Sequence, residues 1–218
     1  MLAKAPVPGQ VKTRMCPPAS PVQAAQLAAA AFRDTLDAVL AVPGVIPVVA
    51  LSGDLAQAID ADALSEQLKA TMVLPQRGAT LGQRIAASIA DAAALVRHRP
   101  VLQIGMDTPQ VDAALLSHCL DLLDADGVDA ALGMAADGGW WVLGVQRPEL
   151  AELIADIPTS RPDTGVRTMA ALRSAGCRMI NLPELSDVDT WEDACALAAD
   201  VPGGRFAATV AVLDIHRS

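Results

Sequence analysis

The chain has 218 residues, of which 52% are hydrophobic, 19% charged and 2% aromatic, and its formal net charge is −9. That length and apolar content fit one substantial folded domain and exclude global disorder. The acidic balance and the scarcity of rings exclude a basic nucleic-acid footprint and a base-stacking platform, and no apolar run approaches the ~18 residues of a membrane helix.

Near the N-terminus, Lys4, Pro6, Pro8 and Lys12 stand where a signal peptide would carry its apolar stretch, so the expected location is the cytoplasm. Ser20-Pro21-Val22-Gln23 is a capping box with proline at the first helical position, and it opens a helix to about Val42. Val45–Leu51 reads as a strand, Asp54–Lys69 as a helical region and Thr71–Leu74 as a short strand. Thr80-Leu81-Gly82-Gln83 is a second capping box and opens a helix to about Arg97. Val101–Ile104 is a buried strand, followed by a helix over Asp112–Leu123. Two strands, Asp129–Met134 and Trp140–Val145, flank a glycine-rich connection. Helices near Glu149–Ala155 and Asp163–Ala175, a strand at Arg178–Leu182 and a helix over Asp189–Asp200 complete the pattern. Residues 1–200 form one domain in this reading, and 201–218 is a tail of undetermined structure. Apolar strands alternating with helices argue for a mostly parallel sheet in an α/β fold, with ligands at the carboxyl ends of the strands. Cys16, Cys119, Cys177 and Cys195 have no C-x-x-C spacing and read as buried small apolar side chains.

The loops after the strands hold the candidate chemistry. Ala3–Arg14 carries Lys4 and Lys12, two of the chain's three lysines, with Arg14, around Gly9. A glycine-containing cationic loop between strand and helix suits a diphosphate or triphosphate, although the Walker spacing is absent; a solvated basic loop is the alternative. Asp107, directly after the central strand in Ile104-Gly105-Met106-Asp107-Thr108-Pro109, suits Mg²⁺ held together with substrate phosphates, or else caps the following turn. In Ser186-Asp187-Val188-Asp189-Thr190-Trp191-Glu192, Asp189 with Glu192 reads as a helix cap. Asp187 and Asp189 alternate, so either one caps while the other binds a metal, or a single carboxylate serves both ends. Gln76–Arg84 is either a segment closing over a base or an ordinary turn, and Asp137-Gly138-Gly139 either lets backbone approach a small ligand closely or is a turn.

Five segments in order resemble the DUF2064 family: A-K-A-P-V-P-G-Q-V-K-T-R, Leu81-Gly82-x-Arg84, I-G-M-D-T-P, A-D-G-G-W-W-V-L-G and D-V-D-T-W-E-D. That family is described as glycosyltransferase-A-like (transferase 1, radical-SAM/selenodomain-associated). It is similar to MobA-like nucleotidyltransferases and to 2-phospho-L-lactate guanylyltransferase. The resemblance spans about residues 1–200. It implies a Rossmann-like three-layer α/β/α nucleotide-diphospho-sugar transferase (GT-A) fold, a nucleoside triphosphate or sugar nucleotide as donor, a small-molecule acceptor, and Mg²⁺ or Mn²⁺. By position it assigns Lys4, Lys12 and Arg14 to the phosphates and Gly82 and Arg84 to the nucleotide; Pro8 and Gly9 of the first loop and Gln76, a polar partner for a base, are further nucleotide-binding candidates. Asp137, Gly138, Gly139 and Ser160 fall near the acceptor, and Asp107 and Asp189 on the metal. Lys12 and Asp107 are the implied catalytic pair. Departures are Met106 for the usual serine, Trp140-Trp141 for two tyrosines, Thr159-Ser160-Arg161-Pro162 where the family often has Trp-Ser-Thr, and a shorter first strand.

Both glycosyl and nucleotidyl transfer fit these residues, with the basic first loop suiting a triphosphate and the family label leaning toward a sugar. A catalytically silent nucleotide-binding or regulatory module is the alternative from another class.

Overall fold

A computed structural model describes residues 1–96, 99–186 and 188–213. Among them lie seven strands: β1 (Leu2–Lys4), β2 (Val48–Ser52), β3 (Met72–Pro75), β4 (Val101–Ile104), β5 (Ala130–Ala135), β6 (Trp140–Val145) and β7 (Met179–Leu185). The α-helices are α1 (Pro21–Leu40), α2 (Ala61–Leu68), α3 (Leu81–Leu95), α4 (Ala113–Leu123), α5 (Thr164–Ser174), α6 (Trp191–Asp200) and α7 (Arg205–Leu213). None of the described helices is long and apolar enough to cross a membrane. The chain forms two compact units. The first comprises residues 3–73 and 106–113 with the described residues from Val188 onward; the second comprises the described residues of 1–2, 74–105 and 114–186.

The first unit carries β2 with residues 3–4 of β1 and 72–73 of β3, strands that pair in the order β1-β2-β3, and an apolar core that joins Leu27 and Ala31 of α1 to Trp191 and Leu197 of α6 and Phe206 and Val210 of α7. In α1 the capping box is made in both directions: Ser20 Oγ accepts from the Gln23 N–H, and the Gln23 side chain accepts from the Ser20 N–H at 2.8 Å. The alanines at 24, 25, 28 and 29 are fully buried, which lets neighbours approach this helix closely. The tail contains a helix, α7. Its start is held by Asp34, whose carboxylate accepts from the Phe206 N–H at 2.8 Å and from Arg205 at 3.0 Å.

The second unit carries the sheet β4-β6-β5-β7, in which β6 is antiparallel to both neighbours and β5 pairs with β7 in parallel. Its core joins Ile85 and Ile89 of α3 to Leu132 and Leu143 of the sheet and Leu172 of α5. Trp141 on β6 reaches across β5 to donate its indole N–H to the Pro183 carbonyl of β7 at 2.8 Å. It passes over Gly133, where a Cβ would lie 2.6 Å from the indole nitrogen, and the register of β5 shifts at this point.

Three expected elements and the reading of the cysteines change. The helical region 54–69 breaks: Asp54 caps a 3₁₀ turn at Leu55–Gln57, the Ile59 N–H bonds the Pro6 carbonyl, and Asp60 takes a left-handed φ of 56° paired with Arg33 before α2 begins. The helix at 149–155 is a 3₁₀ helix, Pro148–Ile154. Strand β7 continues through Pro183 to Leu185, which its edge position tolerates. Of the four free cysteines only Cys119 and Cys177 are buried; Cys16 is half-buried and Cys195 exposed. The expected end of the third helix, Arg97, lies outside the described residues, as does Asp187.

Candidate functional site

The basic loop leaves β1 and turns at Val7-Pro8-Gly9-Gln10. The Gln10 N–H donates to the Val7 carbonyl at 3.0 Å, and Gly9 has a φ of +77°. Proline second and a left-handed glycine third is the signature of a type II turn. The Lys4 ammonium closes the turn on the Gln10 carbonyl at 2.8 Å, while the Lys4 backbone N–H donates to the Met106 sulfur at 3.0 Å. Met106 thus ties the loop to the segment that carries Asp107.

Lys12 takes a left-handed φ of 47°, which is uncommon for a residue with a side chain and concentrates at functional sites. Its ammonium donates to Asp107 Oδ2 at 2.5 Å and to the Val188 carbonyl at 2.7 Å. The Lys12 side chain is only 12% exposed, against 41% for Asp107. Two residues on, Arg14 donates to Asp189 Oδ2 at 2.5 Å on the more open side of the cluster. Burial alone would raise the Asp107 pKa; the Lys12 charge and hydrogen bond outweigh it and hold the carboxyl below the usual carboxylate range.

One loop therefore sets two cations against two carboxylates from separate segments, all within the first unit. Asp107 and Asp189 offer hard oxygen donors. Among the described residues no three His, Cys, Asp or Glu side chains converge on one point. Hard oxygen donors of this kind suit a cation such as Mg²⁺, which is bound by one or two carboxylates plus substrate phosphates.

The other sequence-predicted residues lie in the second unit. Gln76, half-buried, follows β3. Arg84 Nε donates to the Gly78 carbonyl at 3.1 Å. Thr80 caps α3 by accepting from the Gln83 N–H, but the Gln83 side chain accepts from the Ala79 N–H at 3.1 Å, so the expected capping box closes one residue early. Gly82 is required by packing: a Cβ there would stand 2.6 Å from the Ala155 carbonyl oxygen and 3.0 Å from that of Ile154. Gly82→Ala should therefore cost roughly 1–3 kcal/mol of stability in urea denaturation, as overpacking does; unchanged stability would refute the packing account.

Asp137, Gly138 and Gly139 form a tight loop. The Gly139 N–H donates to Asp137 Oδ1 at 2.6 Å, and the Gly138 carbonyl accepts from the Gly165 N–H at 2.9 Å. A Cβ at Gly138, whose φ is +86°, would stand 2.0 Å from the Pro162 carbonyl. This contact brings the loop against the segment of Ser160, itself left-handed at a φ of 58°.

The family described as "Uncharacterized protein conserved in bacteria (DUF2064)" matches residues 35–161. The chain belongs to this family. No curated protein matches it. Among solved structures, a Desulfovibrio desulfuricans G20 protein provisionally assigned as a nucleotide-diphospho-sugar transferase is similar, with a TM-score of 0.79 and 28% identity over 97% of this chain and 92% of its own. A cytidylyltransferase of Leptospira borgpetersenii serovar Hardjo-bovis aligns with a TM-score of 0.57 and 15% identity over 98% of this chain and 91% of its own. CMP:2-keto-3-deoxy-manno-octonic acid synthetase, solved with CTP, aligns with a TM-score of 0.52 and 14% identity over 78% of this chain and 88% of its own. These likenesses establish the α/β fold of nucleotide-diphospho-sugar transferases and cytidylyltransferases.

In this DUF2064 protein Asp107 lies inside the matched span, while Lys12, Arg14 and Asp189 lie outside it. The structure also corrects the cap of α6. Thr190, not Asp189, is the cap residue: its hydroxyl accepts from the Asp193 N–H at 3.2 Å, and Asp193 Oδ2 returns to the Thr190 N–H at 2.7 Å. Asp189 is thereby freed, and its carboxylate is drawn to Arg14. Sequence reasoning missed Asp193 because D-x-x-E and T-x-x-D overlap in Asp189-Thr190-Trp191-Glu192-Asp193; the second template was the available signal. Asp189→Asn should accordingly leave the melting temperature nearly unchanged, since an exposed pair is worth only about 0–1 kcal/mol. It should weaken Mg²⁺-dependent nucleotide binding on the order of tenfold, because Asn brings no charge to a hard cation. Full metal-dependent binding in titration calorimetry would remove Asp189 from the site.

Proposed function

We propose that this protein is a metal-dependent transferase that passes part of a nucleotide-activated donor to a small-molecule acceptor. The observation that carries this reading is the cluster in which Lys12 and Arg14 of one loop face Asp107 and Asp189. A nucleoside polyphosphate with a divalent cation satisfies both halves: phosphate oxygens take the cations, and the carboxylates take the metal. Mg²⁺ or Mn²⁺, held by Asp107 and Asp189, would neutralise phosphate charge. Lys12 and Arg14 bind and orient the outer phosphates, on a loop shaped by Lys4, Pro8 and Gly9.

In nucleotidyl transfer an acceptor oxygen bonds to the α-phosphorus, the bond from that phosphorus to the bridging oxygen breaks, and pyrophosphate leaves. Lys12 and Arg14 stabilise the charge on the departing group. The concentration of cations in this one loop favours a triphosphate, hence this form. Glycosyl transfer, in which the acceptor bonds to the sugar carbon and a nucleoside diphosphate leaves, is the second reading, supported by the 28% identity to the Desulfovibrio desulfuricans protein. Gln76, Gly82 and Arg84 as nucleotide residues, and Asp137, Gly138, Gly139 and Ser160 as acceptor residues, belong to the proposal on the strength of the sequence motifs.

The test is a panel of nucleoside triphosphates and sugar nucleotides with Mg²⁺ or Mn²⁺, read by thermal shift and by product release. Pyrophosphate identifies nucleotidyl transfer, and a nucleoside diphosphate identifies glycosyl transfer. Binding without turnover leaves a nucleotide-binding module, and a panel with neither binding nor turnover overturns the proposal.

A further inference from the structure

We infer that Asp193 is a positioning residue for the Lys12–Arg14 cluster, holding through two backbone amides the segment that presents the Val188 carbonyl and the Asp189 carboxylate to the loop. The inference rests on the reading of that cluster as a phosphate and metal site. Asp193 Oδ2 accepts from the Thr190 N–H at 2.7 Å and also from the Asp189 N–H at 3.2 Å. A capping box needs only the first of these bonds. The second fixes the amide of a residue that precedes the helix cap, and that residue is the one whose side chain meets Arg14 at 2.5 Å. On the other side of the same peptide bond, the Val188 carbonyl receives Lys12 at 2.7 Å.

The peptide between Val188 and Asp189 is thus gripped from both ends, by Asp193 on its N–H and by Lys12 on its C=O. A residue that only started the helix would bond Thr190 and leave Asp189 to solvent.

Thr190 supplies the internal comparison, because its hydroxyl makes the other half of the box by accepting from the Asp193 N–H. Asp193→Ala and Thr190→Ala each remove one capping bond and should lower the melting temperature similarly. They should differ in two further readouts. Amide hydrogen exchange at Asp189 in the ligand-free protein should accelerate about tenfold or more in Asp193→Ala and stay near wild type in Thr190→Ala. Affinity for Mg²⁺ with inorganic tripolyphosphate should fall about tenfold in Asp193→Ala, far less in Thr190→Ala, and largely recover in Asp193→Asn, which keeps an acceptor oxygen. Equal losses in the two alanine variants, or an Asp189 amide still protected in Asp193→Ala, would reduce Asp193 to a helix cap and overturn the inference. If wild type binds no tripolyphosphate while the exchange contrast holds, the positioning stands and the phosphate reading fails.

Discussion

Replacing Lys12 and Arg14 together by alanine should weaken binding of a Mg²⁺–nucleoside triphosphate by roughly 10²- to 10⁴-fold while reducing monophosphate binding far less. Hydrogen bonds to charged groups are worth about 1.5–3 kcal/mol each, and each 1.4 kcal/mol is about tenfold, so two such donors account for the range. The contributions are unequal. Lys12 is 12% exposed and works where water competes weakly; Arg14, at 63%, is screened and adds the smaller share. The contrast between ligands is the sharper readout, because the cations are proposed to face the outer phosphates, which a monophosphate lacks. Loss of Lys12 also leaves the Val188 carbonyl and Asp107 without their donor, so stability must be measured in parallel. Lys12→Arg, which keeps the charge but changes its reach, separates charge from fit. Titration calorimetry with mono-, di- and triphosphates decides the matter. Equal losses for all three would mean that the loop contacts another part of the ligand or acts only through structure.

Much of this candidate site was legible because each of its residues carries its own signal in its local sequence. Lys12 and Arg14 stand out as cations in an acidic chain with three lysines, and Asp107 follows β4, the strand expected at Val101–Ile104. The cap of α1 was equally readable, since Ser20, Pro21 and Gln23 satisfy one template without a competitor. Legibility failed where two templates overlap or where a distant partner decides. Asp189 and Thr190 each make an acceptable cap; Thr190 takes the role with Asp193, and Asp189 pairs with Arg14, 175 residues away in sequence. The break before α2 depends on Pro6 and Arg33, neither of which belongs to the segment. Gly82 carries a packing requirement that no motif shows: its missing side chain makes room for the carbonyls of Ile154 and Ala155, residues distant in sequence.

Asp107→Asn is the substitution that most directly separates a metal ligand from a structural partner. Asn has nearly the same shape, and its carbonyl oxygen can accept from Lys12 as Asp107 does now at 2.5 Å, so the fold should persist. The charge is what disappears. A hard divalent cation loses a charged oxygen ligand, and metal-dependent nucleotide binding should fall by about tenfold to a hundredfold, with higher Mg²⁺ or Mn²⁺ restoring part of it. A structural Asp107 makes the opposite forecast: a change in stability with no change in the metal concentration needed for half-maximal binding. The pH dependence gives a second, ligand-free check. The folded carboxyl is held below its unfolded value of about 3.9, so its contribution to stability is fully present above that pH and is lost as pH falls through the folded value. Because Asp107 is 41% exposed, that contribution should be screened to about 1 kcal/mol or less. The stability difference between wild type and Asp107→Asn should therefore be flat from pH 5 to 7 and close below about pH 4. A gap that persists unchanged into strong acid would show that the Lys12–Asp107 pair is not its source. Unaltered metal dependence alongside a normal acid profile would leave Asp107 as the counter-ion of Lys12 alone, and the metal would then have to be held without it.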